Sequence, residues 1–239
     1  MCRSLLVISV MRYPKAQGLF THARTASSAR FWRDWFEERD TDPRSLAEES
    51  FWQYYEELGL EKDDLRGLVV VDVGSGPRNS LGSFESALTR IGIEPAVVAA
   101  DRILREKHAT SVRDHSMIYI ATTAEDTLLP NGFADLVLCV NGLDHLDRPI
   151  DALKEFARIL KPEGRLLLSV HRGSGVSVYE PHPMSPQQVA QTLTEAGVFD
   201  FKMEVRTTRR PRPSAVKVPI AGASEKAPVI FVSALPNVH

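Results

Sequence analysis

Short apolar runs and amphipathic stretches alternate along the middle of the chain. The run Val69–Val73 is apolar except for Asp72 and is followed by turn residues, which is typical of a strand buried on both faces of a parallel sheet. Further runs predict strands over 96–101, 116–121, 133–140 and 165–171. Residues 81–91 and 151–160 have the period of amphipathic helices. This alternation predicts an α/β fold with a doubly wound, mainly parallel sheet.

Aromatic residues at helical spacing mark the region before the first strand. The stretches 29–39 and 45–58 are predicted to be amphipathic helices with an aromatic face. Residues 1–64 are therefore predicted to form a lead-in and a helical cap, and residues 65–239 to form the main domain.

The last part of the chain predicts a helix followed by a hairpin. The helix covers 185–196, and strand-like runs cover 199–206 and 229–235. The connection between these strands is long for a hairpin and contains a basic segment, 206–217, with four arginines and one lysine. The segment is either a basic flap over an anionic substrate or a solvated flexible loop.

Composition narrows the class of protein. The chain has 239 residues, 43% of them hydrophobic, and a net charge of -2, which fits one large globular domain and argues against nucleic-acid binding over the whole surface. Cys2 and Cys139 lie far apart and indicate neither a disulfide framework nor a zinc site. Without a run long enough for a membrane span, a cytoplasmic location is predicted.

The loop after the first predicted strand carries the first candidate chemistry. Gly74 and Gly76 allow a sharp turn and a close approach of backbone to a ligand. A dinucleotide site needs a third glycine, which is absent here. Asp72 stands two residues before Gly74, where its charge would repel a pyrophosphate and attract a cation. The loop therefore favours a cationic nucleoside-type ligand over a nicotinamide cofactor.

Asp72-Val73-Gly74-Ser75-Gly76 resembles motif I of the class I S-adenosylmethionine-dependent methyltransferases. Two further segments are similar to this family: Thr123-Ala124-Glu125 before Leu129-Pro130, and the Leu-Lys-Pro-Glu-Gly-Arg-Leu turn at 160–166. The resemblance runs from about residue 65 to 171 and is closest to the methyltransferase type 11 branch, which includes ubiquinone and menaquinone methyltransferases. It implies a Rossmann-like sheet of seven strands with helices on both faces and an antiparallel last strand.

The resemblance also implies a set of cofactor contacts, with S-adenosyl-L-methionine as the cofactor. The motif I residues would hold the methionine end of the cofactor. Arg78, which stands in place of a third loop glycine, would contact the methionine carboxylate. A carboxylate at the tip of the second predicted strand can accept both ribose hydroxyls, which assigns Asp101 and its neighbour Arg102 to the ribose. Ala124 and Glu125 are assigned to the adenine. The predicted cofactor residues are Asp72, Gly74, Ser75, Gly76, Arg78, Asp101, Arg102, Ala124, Glu125 and Asn141.

The acceptor side is predicted from residues that follow the later strands. His145 follows the fourth predicted strand and is the candidate general base. His171 and His182 approach the same rim, and the resemblance places the helical cap over the cofactor, so Trp52 and Tyr55 either line the substrate pocket or only pack the cap. No metal site is predicted.

The predicted function is methyl transfer to an oxygen, nitrogen or carbon atom of a small molecule, by a monomer or homodimer. Three alternatives stay open at this point. They are an RNA or protein methyltransferase that uses the basic segment, a non-catalytic S-adenosylmethionine-binding pseudoenzyme, and a nicotinamide-dependent oxidoreductase.

Overall fold

One sheet of seven strands organises the computed structural model of the chain. The structure describes residues 29–30, 55, 58–76, 81, 86–98, 101–102, 117–171, 182–207 and 228–237. The strands are β1 (Val69–Val73), β2 (Thr89–Ile93), β3 (Ile118–Ile120), β4 (Ala134–Val140), β5 (Leu160–His171), β6 (Phe199–Thr207) and β7 (Pro228–Pro236). Their order in the sheet is β3-β2-β1-β4-β5-β7-β6. The predicted α/β class and the number of strands are confirmed.

The first five strands are parallel, and the last two are not. β1 pairs in parallel with β2 and β4, β2 with β3, and β4 with β5. β7 lies between β5 and β6 and is antiparallel to both, so the predicted closing hairpin is confirmed. The carboxyl ends of β1 to β5 therefore share one edge, and the direction of strand order reverses between β1 and β4. Ligands of open α/β sheets bind in the crevice at such a reversal.

Apolar layers cover both faces of the sheet. On one face Val71 and Val73 pack with two helices, α1 (Pro149–Ile159) and α2 (Pro186–Ala196). On the other face Val70 and Leu138 pack with Tyr55, Leu60 and Leu65 from the region before β1. Successive residues of β1 thus serve opposite layers, which explains why its sequence is apolar almost throughout.

Local signals set the ends of both helices. α1 begins at Pro149, whose fixed φ suits the first helical turn. α2 begins after Ser185, which forms a capping box with Gln188, and ends at Gly197 with a φ of 69°. The helices predicted over 151–160 and 185–196 are confirmed. No helix in the described part of the chain has the length and hydrophobicity needed to cross a bilayer.

The prediction for the region after β1 is wrong. Residues 89–91, the end of the helix predicted over 81–91, belong to β2, and residues 97–98 and 101, within the strand predicted over 96–101, are helical. Pro95 follows Glu94 directly and suits the start of a helix, and the alanines of 96–100 are strong helix formers. Of the two helices predicted for the cap, only Ala29, Arg30, Tyr55 and Leu58 are described; the first three are helical and Leu58 lies in a turn.

Candidate functional site

The glycine loop leaves β1 at the shared carboxyl edge of the parallel strands. Gly74 has a φ of 70° and Gly76 a φ of 60°, a left-handed conformation that side chains with a Cβ rarely adopt. The Gly74 N–H donates to the carbonyl of Ile93 at the end of β2, over 2.9 Å. The loop therefore bends back across the tip of the neighbouring strand.

Two side chains fix the backbone of Gly76. Its N–H donates to Glu94 Oε2 over 3.1 Å, and its carbonyl accepts a hydrogen bond of 3.2 Å from the Tyr119 hydroxyl. Glu94 also accepts the N–H of Ala96 over 2.9 Å. Both partners lie on neighbouring strands or at their tips, so the sheet itself holds the loop.

Gly92 provides the space that this arrangement needs. It lies between Asp72 of β1 and Tyr119 of β3 in the sheet register. A Cβ on Gly92 would lie 2.7 Å from Ser75 Oγ and 2.8 Å from the Tyr119 ring, closer than real Cβ contacts. A glycine in the middle of a strand often marks such a close approach.

Asp72 is a buried carboxylate beneath the loop. Only 3% of Asp72 is exposed, and the Tyr55 hydroxyl donates to its Oδ2 over 2.8 Å. Burial raises the pKa of Asp72 to about 7; the hydrogen bond from Tyr55 opposes this shift, and the Glu94 carboxylate adds to it. Tyr55 thus joins the region before β1 to motif I.

Glu94, rather than Asp101, is the acid at the tip of β2. Asp101 and Arg102 lie in the helical stretch beyond that tip. Asp101 therefore does not end the second strand, which was the reason for assigning it to the ribose. Burial raises the pKa of Glu94, while the N–H groups of Ala96 and Gly76 act against the shift. Glu94 is not among the predicted cofactor residues, because the apolar residues after Pro95 predict a strand where a helix begins.

The loop after β3 holds the predicted adenine contacts at the same edge. Ala124 is buried, and Glu125 Oε1 accepts the N–H of Arg148 at the start of α1 over 3.0 Å. Farther along, the backbone N–H and hydroxyl of Thr127 both donate to Glu155 Oε1, at 2.8 and 2.6 Å. The loop is therefore tied to α1 at two points.

The turn after β4 is tightly built. Asn141 has a φ of 50°, which asparagine tolerates better than most residues, and its N–H donates to the Ser169 carbonyl over 2.9 Å. The Asn141 side-chain oxygen accepts the N–H of His171 over 3.3 Å. Asn141 thus couples the tips of β4 and β5, while the cofactor contact predicted for it stays a prediction.

Histidines surround this turn. His145 ends the one-turn helix Leu143–His145, with 33% of its side chain exposed and Nε2 3.9 Å from Oδ1 of the fully buried Asp144. The His182 backbone N–H donates to the carbonyl of Asp144 over 3.3 Å, and His171 is buried at the end of β5. The three histidines predicted for the acceptor side therefore lie at or next to one edge of the sheet.

Other predicted groups lie elsewhere or outside the described residues. Trp52, Arg78 and the segment 208–227 fall outside them. Arg206, the first residue of the predicted basic segment, pairs with Glu204 over 2.6 Å and lies 5.3 Å from the Phe231 ring centre. Within the described ranges, no group of three or more His, Cys, Asp or Glu side chains could hold a metal ion.

The charge of the site fits a cationic nucleoside better than a dinucleotide. Asp72 and Glu94 are both buried against a loop that a pyrophosphate would have to occupy. A pyrophosphate beside these two acids would add charge repulsion to the energetic cost of burying them. A positively charged ligand would instead offset that cost. The site thus matches the cofactor implied by motif I.

Comparison with known proteins agrees with this match. The family described as "Methyltransferase domain" matches residues 71–168. A mitochondrial ubiquinone biosynthesis O-methyltransferase from Schizosaccharomyces pombe is 30% identical over 148 residues, which are 59% of this chain and 51% of that protein. An uncharacterized methyltransferase from Mycolicibacterium gilvum is 36% identical over 106 residues, 44% of this chain and 39% of that protein.

The YcgJ protein from Bacillus subtilis has a similar solved structure, with a TM-score of 0.58 at 16% identity, over 77% of this chain and all of that chain. At this identity the likeness shows the fold alone. The chain spans about half the length, or less, of the two curated relatives. The matched segment contains the loop, Glu94 and the turn after β4, and it confirms the predicted class: residues 71–168 form a domain of the class I, S-adenosylmethionine-dependent methyltransferase type.

Proposed function

We propose that this class I methyltransferase domain transfers a methyl group from S-adenosylmethionine to a small-molecule acceptor, at an oxygen, nitrogen or carbon atom. The observation that carries the proposal is the glycine loop held above two buried carboxylates, Asp72 and Glu94, at the crevice between β1 and β4. The curated relatives named as O-methyltransferases support oxygen as the acceptor atom. The predicted cytoplasmic location and oligomeric state stay predictions.

The chain offers a separate group for each part of the cofactor. Asp72 and the loop residues 74–76 would hold the methionine end, and Glu94 would take the ribose role first assigned to Asp101. Ala124 and Glu125 stay the proposed adenine contacts. When bound, S-adenosylmethionine supplies an electrophilic methyl group on a cationic sulfur. The protein then has to align the acceptor with it and exclude water.

The acceptor side would be formed by the turn after β4. Asn141 and the one-turn helix bring His145 to the sheet edge, and the partly exposed ring of His145 can accept a proton from an acceptor hydroxyl. His171 and His182 would complete this rim. Because the Tyr55 hydroxyl donates to Asp72, we assign Tyr55 to the proposed cofactor side rather than to the substrate pocket.

The first test is calorimetric titration with S-adenosylmethionine, S-adenosylhomocysteine and NADH. We expect the first two to bind and NADH not to bind. Glu94→Gln should weaken both adenosine ligands by about tenfold to a hundredfold, because a buried hydrogen bond to a charged group contributes roughly 1.5–3 kcal/mol. Asp101→Asn is the matched control, because it makes the same change outside the strand tip and should bind within about twofold of wild type.

The outcomes separate the assignments. Loss of binding in Asp101→Asn with retention in Glu94→Gln would restore the original ribose assignment. Failure of the wild type to bind either adenosine ligand would overturn the proposed function. Binding without methylation of any phenol, alcohol or amine in an acceptor panel would favour the non-catalytic alternative.

A further inference from the structure

Tyr55, a residue of the predicted cap, contacts the end of β1 just before the glycine loop. It is 1% exposed, and its hydroxyl donates to Asp72 Oδ2 over 2.8 Å, across 17 positions of sequence. The register partner of Asp72 on β2 is Gly92, which has no side chain that could hold the carboxylate. The phenol of Tyr55 thus sets which way the Asp72 carboxylate points.

We propose that Tyr55 is a positioning residue of the cofactor site, whose hydroxyl favours the ionised and correctly directed carboxylate of Asp72, so that the site distinguishes the cationic methyl donor from its neutral product. The inference rests on the proposed function, since it concerns the same cofactor. S-adenosylhomocysteine keeps the ammonium group of the amino-acid end but lacks the positive charge on sulfur, so the donor gains more than the product from a full negative charge at Asp72. Tyr55 would thereby help to retain the donor and release the product.

The surroundings of Asp72 make its charge sensitive to one hydrogen bond. In the described part of the chain, titratable groups from several neighbouring elements interact with Asp72. These groups are Tyr55 before β1, Glu94 after β2 and Cys139 on β4, with Asp144 acting on Cys139 in turn. Tyr119 on β3 lies one strand farther away, opposite Gly92. Burial and the Glu94 carboxylate disfavour the ionised form, whereas the Tyr55 hydroxyl favours it. Removing that hydroxyl removes a group that stabilises the negative charge.

The test measures both ligands by calorimetry from pH 6 to pH 9, for wild type and Tyr55→Phe. The phenylalanine keeps the buried ring and removes only the hydroxyl. We expect the pH midpoint for donor affinity to rise by about one unit, because a hydrogen bond to a charged group is worth about that much. At pH 7 the variant should bind S-adenosylmethionine about fivefold more weakly and S-adenosylhomocysteine less than about twofold more weakly, with the gap closing toward pH 9.

Tyr119→Phe is the matched control. It removes the hydroxyl of another buried tyrosine, which lies on β3 and contacts the glycine loop. That hydroxyl donates to the uncharged carbonyl of Gly76 rather than to a carboxylate. It should weaken both ligands by a similar factor at every pH and leave the pH midpoint unchanged. In an Asp72→Asn background, Tyr55→Phe should add nothing to the ratio of the two affinities, because Tyr55 acts through Asp72.

Equal weakening of both ligands by Tyr55→Phe at every pH would overturn the inference, while the intact wild-type binding would leave the proposed function standing. Thermal unfolding checks that the variant folds. A second measurement uses wild type alone: calorimetry in two buffers of different ionisation enthalpy counts the protons released on binding. Near pH 7 the donor should release more protons than the product. This excess should vanish in Asp72→Asn, and equal release by the two ligands in wild type would contradict the inference.

Discussion

His145 is a single side chain on which the proposed proton transfer depends. It is partly exposed at the sheet edge, with the buried Asp144 carboxylate 3.9 Å from its Nε2. We expect His145→Gln to lower kcat for a hydroxyl acceptor by about a hundredfold to ten-thousandfold, because glutamine cannot take up the proton. Affinity for S-adenosylhomocysteine should stay within about twofold. A parallel loss of cofactor affinity in titration would instead indicate that His145 supports the site structurally.

The residues of motif I could be predicted from sequence, but their partners could not. An acid followed by two glycines after an apolar run identifies the loop whatever surrounds it. Glu94 could not be predicted as a strand-tip acid for two reasons. The strand before it, Thr89–Ile93, is short and contains Arg90 and Gly92, and the apolar residues after Pro95 have the pattern of a buried strand. The role of Tyr55 depends on a contact across 17 positions, which no local pattern encodes.

At the scale of elements, the approach of β3 to β2 depends on Gly92. A Cβ there would lie 2.6 Å from the flexible Met117 Cε, but also 2.8 Å from the rigid Tyr119 ring. We expect Gly92→Ala to displace Tyr119 and lower the free energy of unfolding by about 1–3 kcal/mol, the usual cost of overpacking. Because Tyr119 donates to Gly76, cofactor affinity should fall as well.

Denaturant unfolding and titration with S-adenosylhomocysteine check this prediction. Tyr119→Phe is the reference, since it removes the hydrogen bond without displacing the ring, and Gly92→Ala should be the more damaging of the two. If Gly92→Ala has the free energy of unfolding and the ligand affinity of wild type, β2 and β3 have room to separate, and their close approach has no role in the site.

Element identity followed from sequence wherever burial was uniform. The apolar runs of β1, β4 and β7 and the capped helix α2 could all be located, because each has either two buried faces or clear terminal signals. The antiparallel last strand came only with the family resemblance, and the position of β7 between β5 and β6 was not predicted, since strand order depends on long-range contacts. β3 is only three residues long, so its exact bounds depend on pairing with β2.

At the scale of the whole molecule, burial of two carboxyl groups at the site lowers the free energy of unfolding, and a bound ligand can offset this loss. The folded chain keeps Asp72 and Glu94 buried with raised pKa values, so it binds more protons than the unfolded chain between the ordinary carboxyl pKa and about pH 7. Stability from these groups therefore falls as pH rises through that window. Asp135 acts in the opposite direction: although burial opposes it, the hydrogen bond from Lys161 lowers its pKa, so its contribution is lost only in acid.

Asp72→Asn separates the Asp72 contribution from every other titrating group in the chain. The amide cannot ionise, and its oxygen can still accept the hydrogen bond from Tyr55, so the variant should be more stable than ligand-free wild type at pH 8. This advantage should shrink by about 2 kcal/mol at pH 5.5, because wild type is already protonated there in the folded state. Chemical denaturation of both proteins at the two pH values measures the difference. An advantage that does not change with pH would mean that Asp72 keeps an ordinary pKa. The same burial that destabilises the ligand-free site makes a cationic ligand more stabilising at high pH. The donor should therefore raise Tm more at pH 8 than at pH 5.5 in wild type, and this difference should be smaller in Asp72→Asn, in which Glu94 still titrates.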